Sequence, residues 1–161
     1  MKSNFLKNVL TMMTGIGLAL LILQFVQPTL VNGDSMDPYL KNGDYLIMNK
    51  FIYKHSEPEY GDVVIFPRDG KLLIKRVIGK PGDKIEIKEG KVYRNDTAIE
   101  DYVDIYTEPE LVRTLDEDEY FCLGDNRSVS LDSRYDEVGN VKKKEIRGKA
   151  FVRIFPHPGK I

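Results

Sequence analysis

Gly61-Asp62-Val63-Val64-Ile65-Phe66-Pro67-Arg68-Asp69-Gly70-Lys71-Leu72-Leu73-Ile74-Lys75-Arg76-Val77-Ile78 is the stretch that decides the fold. Asp62 to Phe66 is a short apolar run with the length of a buried strand. Pro67-Arg68-Asp69-Gly70 is turn chemistry, and Lys71 to Ile78 resumes an extended pattern, so the two runs are expected to form a hairpin. Working outward, Pro81-Gly82-Asp83 ends the second strand, Lys84-Ile85-Glu86-Ile87-Lys88 alternates cleanly, and Glu89-Gly90 turns into Lys91-Val92-Tyr93. On the other side, Tyr45-Leu46-Ile47-Met48 follows a Gly43-Asp44 turn. Tyr120 to Leu123 and Lys149 to Phe155 read as later strands. Residues 96–118 are polar and acidic and are expected to form a surface excursion, with Asp116-Glu117-Asp118-Glu119 as a solvated face. The expected fold is mostly β, an antiparallel sheet domain of short strands and Gly/Pro-rich turns.

The chain has 161 residues, which suits one domain with a short appendage, and its 30% charged residues come with 42% hydrophobic ones, as in an ordinary globular protein. Net charge is −1, without the basic bias that nucleic-acid binding needs. The basic cluster Lys142-Lys143-Lys144 reads most simply as a solvated loop, with a lipid-headgroup contact as the second reading. Cys122 is the single cysteine, so no intrachain disulfide forms, and its apolar run reads as a buried site. His55 and His157 lie in Pro-flanked polar segments without metal-ligand spacing, so they are expected on surface loops, and neither a metal nor a cofactor is expected.

From Val9 to Val26, eighteen residues carry no charge, and Gln24 is the one strongly polar residue among them. As a helix they span roughly 27 Å at about 1.5 Å per residue. That is within the range able to cross an approximately 30 Å hydrocarbon core. Lys2 and Lys7 precede the run and no Lys or Arg follows it until Lys41, so the positive-inside bias places the N-terminus in the cytoplasm. Residues 1–27 are therefore expected to be a transmembrane anchor and 28–161 an extracytoplasmic domain in contact with the bilayer. A cleavable secretion signal is the competing reading, but Val31-Asn32-Gly33 is a poor cleavage site. A soluble core helix would show a polar face, which this run lacks.

Ser35 follows the anchor at once, and Lys75 lies in the second strand of the hairpin. A serine hydroxyl is a poor nucleophile until a base takes its proton. With the histidines excluded, a neutral lysine would have to serve, its pKa lowered from about 10.4 by burial. In a strand, Leu73, Lys75 and Val77 share one face, so Lys75 is flanked by aliphatic side chains. Taken singly, Lys75 reads as well as a snorkelling edge lysine, and Ser35 as a plain turn serine between Asp34 and Asp37.

Taken together, four patches resemble the type I signal peptidases. They are Ser35-Met36-Asp37-Pro38-Tyr39-Leu40 through Gly43-Asp44, Gly61-Asp62-Val63-Val64, Lys75-Arg76-Val77-Ile78-Gly79 with Pro81-Gly82-Asp83, and Gly124-Asp125-Asn126-Arg127 with Ser130, Asp132, Ser133 and Arg134. The resemblance implies a membrane-bound serine endopeptidase acting on secretory preproteins with small residues at P1 and P3. It implies Ser35 as nucleophile, Lys75 as general base, and Ser130 as the hydroxyl that orients the lysine. It also implies Asp125, Asp132 and Arg134 as bracing residues, and the Ser35 backbone N–H as an oxyanion donor. Gly33, Tyr39 and Val129 depart from the commoner serine, threonine and asparagine, and Gly33 leaves the second oxyanion donor unassigned. The alternatives are a non-catalytic anchored module assisting surface-protein assembly and a self-cleaving Ser/Lys regulator; the latter calls for a DNA-binding domain in place of the anchor.

Overall fold

The computed structural model describes residues 2–99 and 106–161. In chain order the elements are α1 (Lys2–Phe25), β1 (Val26–Leu30), β2 (Tyr45–Asn49), β3 (Val63–Arg68), β4 (Lys71–Gly79), β5 (Lys84–Lys88) and β6 (Lys91–Arg94), then β7 (Thr97–Ala98), β8 (Leu111–Thr114), β9 (Glu119–Leu123), β10 (Val141–Lys142), β11 (Gly148–Phe155) and β12 (Gly159–Lys160). The hairpin forms as expected, with Arg68 opposite Lys71 and the turn made by Asp69 and Gly70, both at positive φ (47° and 73°). Two successive left-handed residues give the turn whose twist matches the flanking strands. Every strand pairing among the described residues is antiparallel.

The larger sheet runs β1-β2-β11-β3-β4-β9-β10 with β12 on β11, and the smaller runs β7-β6-β5-β8. β3 is buried on both faces. Val63 and Ile65 join Met36, Leu40, Leu46 and Ile74, while Val64 and Phe66 join Tyr53, Val77, Tyr120 and Cys122. A third cluster, including Ile78, Ile85, Ile87, Phe121 and Leu123, packs the smaller sheet onto the larger. Three features depart from the expected outline. The acidic stretch 96–118 contributes β7 and β8, which close the small sheet on β6 and β5; residues 100–105 of that stretch lie outside the described residues. The helix gives way at Val26 to β1, which pairs along its length with β2, so chain expected to end the anchor is part of the sheet. Lys142 ends a strand and Lys143–Glu145 form a 3-10 turn, rather than a loose loop.

α1 contains a 22-residue stretch, Asn4–Phe25, long and apolar enough to cross a membrane; its side chains are exposed along nearly all of that length, and the Phe25 ring at its end lies 5.0 Å from that of Phe51. Its last turn is tied to the domain: the Lys50 N–H donates to the Phe25 carbonyl (2.9 Å) and Lys50 Nζ to the Leu23 carbonyl (2.9 Å).

Candidate active site

Ser35 sits on the loop between β1 and β2. Val31, Met36 and Leu40 of that loop are buried in the first core cluster and peg it down. Gly33 (φ 93°) turns the chain, its N–H donating to Asn42 Oδ1 (3.0 Å), and the Asp37 N–H donates to the Asp34 carbonyl (3.1 Å). Asp34 thus serves the turn, as the plainer reading of this loop foresaw. The Ser35 carbonyl accepts from the Asn126 N–H (3.0 Å), tying the loop to the segment after β9.

Lys75 Nζ donates to Ser35 Oγ at 2.7 Å. The lysine is 2% exposed, with Leu73 and Val77 of its own strand face in the surrounding core cluster. Burial lowers its pKa from 10.5 to about 8; the Asp132 and Asp125 carboxylates oppose that fall, and the Arg134 guanidinium assists it. Charge on this amine is therefore disfavoured by lost hydration, and the neutral form is accessible near physiological pH.

Asp125, Asp132 and Arg134 form the wall behind the lysine. Asp132 accepts from Arg134 Nε (2.8 Å) and Nη2 (3.0 Å) and from the Gly124 N–H (3.0 Å). Arg134 also donates to the carbonyls of Arg127 (2.8 Å), Ser130 (3.0 Å) and Glu108. Asp125 accepts a two-pronged pair from Arg76 Nε (2.8 Å) and Nη2 (2.6 Å). Arg76 was missed by sequence reasoning, although the signal was present: it lies between Ile74 and Ile78 on the other face of β4, as unexpected in apolar company as Lys75. Arg127, buried and donating to the Gly124 carbonyl (2.9 Å) and Thr107 Oγ1 (2.9 Å), was missed with it. Tyr39, flagged as a departure, has its ring 5.3 Å from the Arg76 guanidinium, one residue from the lysine.

Ser130 is buried near these groups, but the expected hydrogen bond to Lys75 is not made. Its Oγ has no hydrogen-bond partner among the described residues. It lies where a side chain on Gly124 would point, and the Ser35 carbonyl oxygen fills the same space, so Gly124 has no room for a Cβ. The Ser35 N–H, expected as an oxyanion donor, is likewise unused among the described residues. Cys122 is fully buried and its thiol is pushed up by burial, in keeping with a packing role. His55 and His157 are exposed and far from the site in the chain.

A cleft of about 550 Å³ opens at Ser35 and Lys75, walled by residues 27–32 of β1 and its loop and by Lys71 to Ile74 of β4. Among the described residues β1 pairs with β2 alone, and β9 pairs with β4 only from Arg76 onward. Both walls thus present strand edges with unpaired backbone groups, an arrangement that takes an extended peptide as an added strand. Among the described residues there is no cluster of His, Cys, Asp and Glu suited to a metal ion.

A family model described as "Signal peptidase, peptidase S26" matches residues 5–155. Among curated proteins, the chain is 38% identical over 160 residues to the probable signal peptidase I-2 of Synechocystis, covering 92% of this chain and 72% of that protein. It is 35% identical over 170 residues to the signal peptidase I of Bacillus licheniformis (96% and 91% covered). It is 31% identical over 178 residues to the signal peptidase IB of Staphylococcus aureus (97% and 92%). Among solved structures, the crystal structure of a signal peptidase I from Enterococcus faecalis superposes with a TM-score of 0.51 at 29% identity, covering 58% of this chain and 97% of that one.

Proposed function

The chain belongs to the signal peptidases of peptidase family S26, and on that premise we propose that Ser35 and Lys75 are the nucleophile and base with which it removes signal peptides from secretory preproteins. The observation that carries this assignment is the 2.7 Å contact between Lys75 Nζ and Ser35 Oγ on a buried amine. Serine endopeptidase chemistry is the activity of the family and of the curated relatives.

In the reactive state Lys75 is neutral and accepts the Ser35 hydroxyl proton as Oγ attacks the scissile carbonyl. The Ser35 N–H, which has no hydrogen-bond partner among the described residues, donates to the developing oxyanion. The resulting ammonium then protonates the leaving amine of the mature protein. Water hydrolyses the acyl ester, Lys75 again taking a proton, and the signal peptide leaves. Asp125, Asp132 and Arg134 position the base: they are paired with arginines and backbone rather than with the reacting atoms. Ser130 orients the amine in this reading, a role supported by its buried hydroxyl, which has no hydrogen-bond partner among the described residues. In this reading the substrate lies as a strand between the edges of β1 and β4, with small residues at P1 and P3 against the walls of the cleft.

The helix that ends at Phe25 acts as a single-pass anchor with a cytoplasmic N-terminus, and the chain from Val26 onward as the extracytoplasmic domain. Nine residue steps separate Val26 from Ser35, which caps their separation near ~30 Å. The nucleophile is thereby held beside the outer membrane face, where the end of a membrane-inserted signal peptide emerges. The test is incubation of the detergent-solubilised chain, and of its Ser35→Ala variant, with a preprotein, followed by N-terminal sequencing. A product cut after a small residue by the native chain alone is expected. No product from the native chain would favour the non-catalytic module, and a product from the variant would remove Ser35 from its role.

A further inference from the structure

A second cavity, of about 350 Å³, lies away from the catalytic cleft and beside the exit of α1. Lys50, Lys54, Lys143, Lys144 and Arg147 line it, against the one carboxylate of Asp118. Lys143 is paired with Glu57, whereas Lys54, Lys144 and Arg147 have no ion pair among the described residues. Five cations against Asp118 and Glu57 leave an excess of three positive charges. The chain as a whole has a net charge of −1, so this is a local concentration. The cluster is assembled by the fold: residues 50–54 follow β2, and 143–147 link β10 to β11.

Its position is fixed relative to α1. Lys50 Nζ donates to the Leu23 carbonyl (2.9 Å), the Phe51 ring is 5.0 Å from that of Phe25, and Lys54 Nζ is 4.0 Å from the Phe51 ring centroid. The wall of the cavity is therefore in contact with the last turn of the membrane-crossing helix. At that height the anions are lipid phosphates. A cationic pocket there meets the headgroup layer, with the apolar end of α1 and Phe51 beside the acyl chains.

We infer that this pocket binds the phosphate headgroup of an anionic phospholipid in the outer leaflet and fixes the orientation of the domain on the bilayer. The inference rests on the anchored reading of α1. Three phosphate-facing cations are worth on the order of a hundredfold in affinity, at about 1 kcal/mol each beside an anionic surface.

The full chain is placed in discs of phosphatidylcholine doped with increasing phosphatidylglycerol, and amide hydrogen exchange is followed over residues 50–55 and 143–148. Exchange in both segments should slow as phosphatidylglycerol rises. In the exposed triple variant Lys54→Gln, Lys144→Gln, Arg147→Gln, half-protection should need on the order of a hundredfold more of that lipid, beyond any reachable doping. No slowing in the native chain, or equal slowing in the variant, would overturn the proposal. Slowing by inorganic phosphate added to pure phosphatidylcholine discs would assign the pocket to a free anion and overturn the lipid. A chain that does not enter discs at all would refute the anchor, and this proposal with it. Peptide cleavage is not read in this assay, so failure here and failure of the Ser35–Lys75 assignment are seen separately.

Discussion

Lys75→Met is predicted to stabilise the fold while abolishing cleavage. The lysine is 2% exposed, and burial lowers its pKa from 10.5 to about 8. Below pH 8 both folded and unfolded chains carry the charge, and the native state bears the full cost of holding it out of water. Between about pH 8 and 10.5 the unfolded chain still binds a proton that the folded chain has released, so stability rises with pH across that window. At about 1.4 kcal/mol per pKa unit, the native state is disfavoured by about 3 kcal/mol at pH 7. Methionine is similar in length, stands on the same strand face as Leu73 and Val77, and carries no charge; Ser35 Oγ loses a partner but opens to the cleft. For a domain of this size the gain is roughly 6–12 °C in melting temperature. Thermal unfolding of the full chain in detergent, native against variant, at pH 7 and again near pH 10, reads it. The variant should melt higher at pH 7 and the gap should shrink by pH 10. A variant no more stable than the native chain, or a gap that ignores pH, would refute the reasoning.

Three further outcomes are expected. The rate of preprotein cleavage should climb with pH through about 8 and level off above it as Lys75 deprotonates; a rate flat across that range would count against the base. Asp125→Ala removes the carboxylate that takes two hydrogen bonds from the buried Arg76 guanidinium and should cost about 3–5 kcal/mol in denaturant unfolding; a loss under 1 kcal/mol would mean the pair is not holding β4 in place. Ser130→Ala removes a buried hydroxyl that lacks a partner, so stability should hold or rise by up to about 1 kcal/mol, while turnover falls by less than on loss of Lys75; marked destabilisation, or equal loss of turnover, would reassign Ser130.

The β character of the chain was legible because its strongest signals are local. The turn at Asp69-Gly70 and the alternation in Lys84–Lys88 fix strands without reference to anything distant. Among the strands made by long-range pairing, β2, β9 and β11 were legible from their apolar runs, whereas β1 and β8 were not. β1 carries Pro28 and follows a helix directly, and becomes a strand because β2 lies beside it; β8 is formed by acidic-flanked residues that β5 captures. The site shows the same division. Ser35 and Lys75 were ambiguous singly and became legible only through the four patches taken together. The partner of Arg76, and the direction in which Ser130 points, depend on where the segment 124–134 folds back, which no local pattern encodes. The basic pocket was legible only in part, as Lys142-Lys143-Lys144, since Lys50, Lys54 and Arg147 reach it from elsewhere.

The central claim is that the amine beside Ser35 is uncharged when the enzyme works. Titration of the Lys75 side-chain resonance in the isotope-labelled full chain, assigned by its absence in Lys75→Met, measures this directly. A midpoint of about 8 is expected. A midpoint at or above the 10.5 of an ordinary lysine would contradict it.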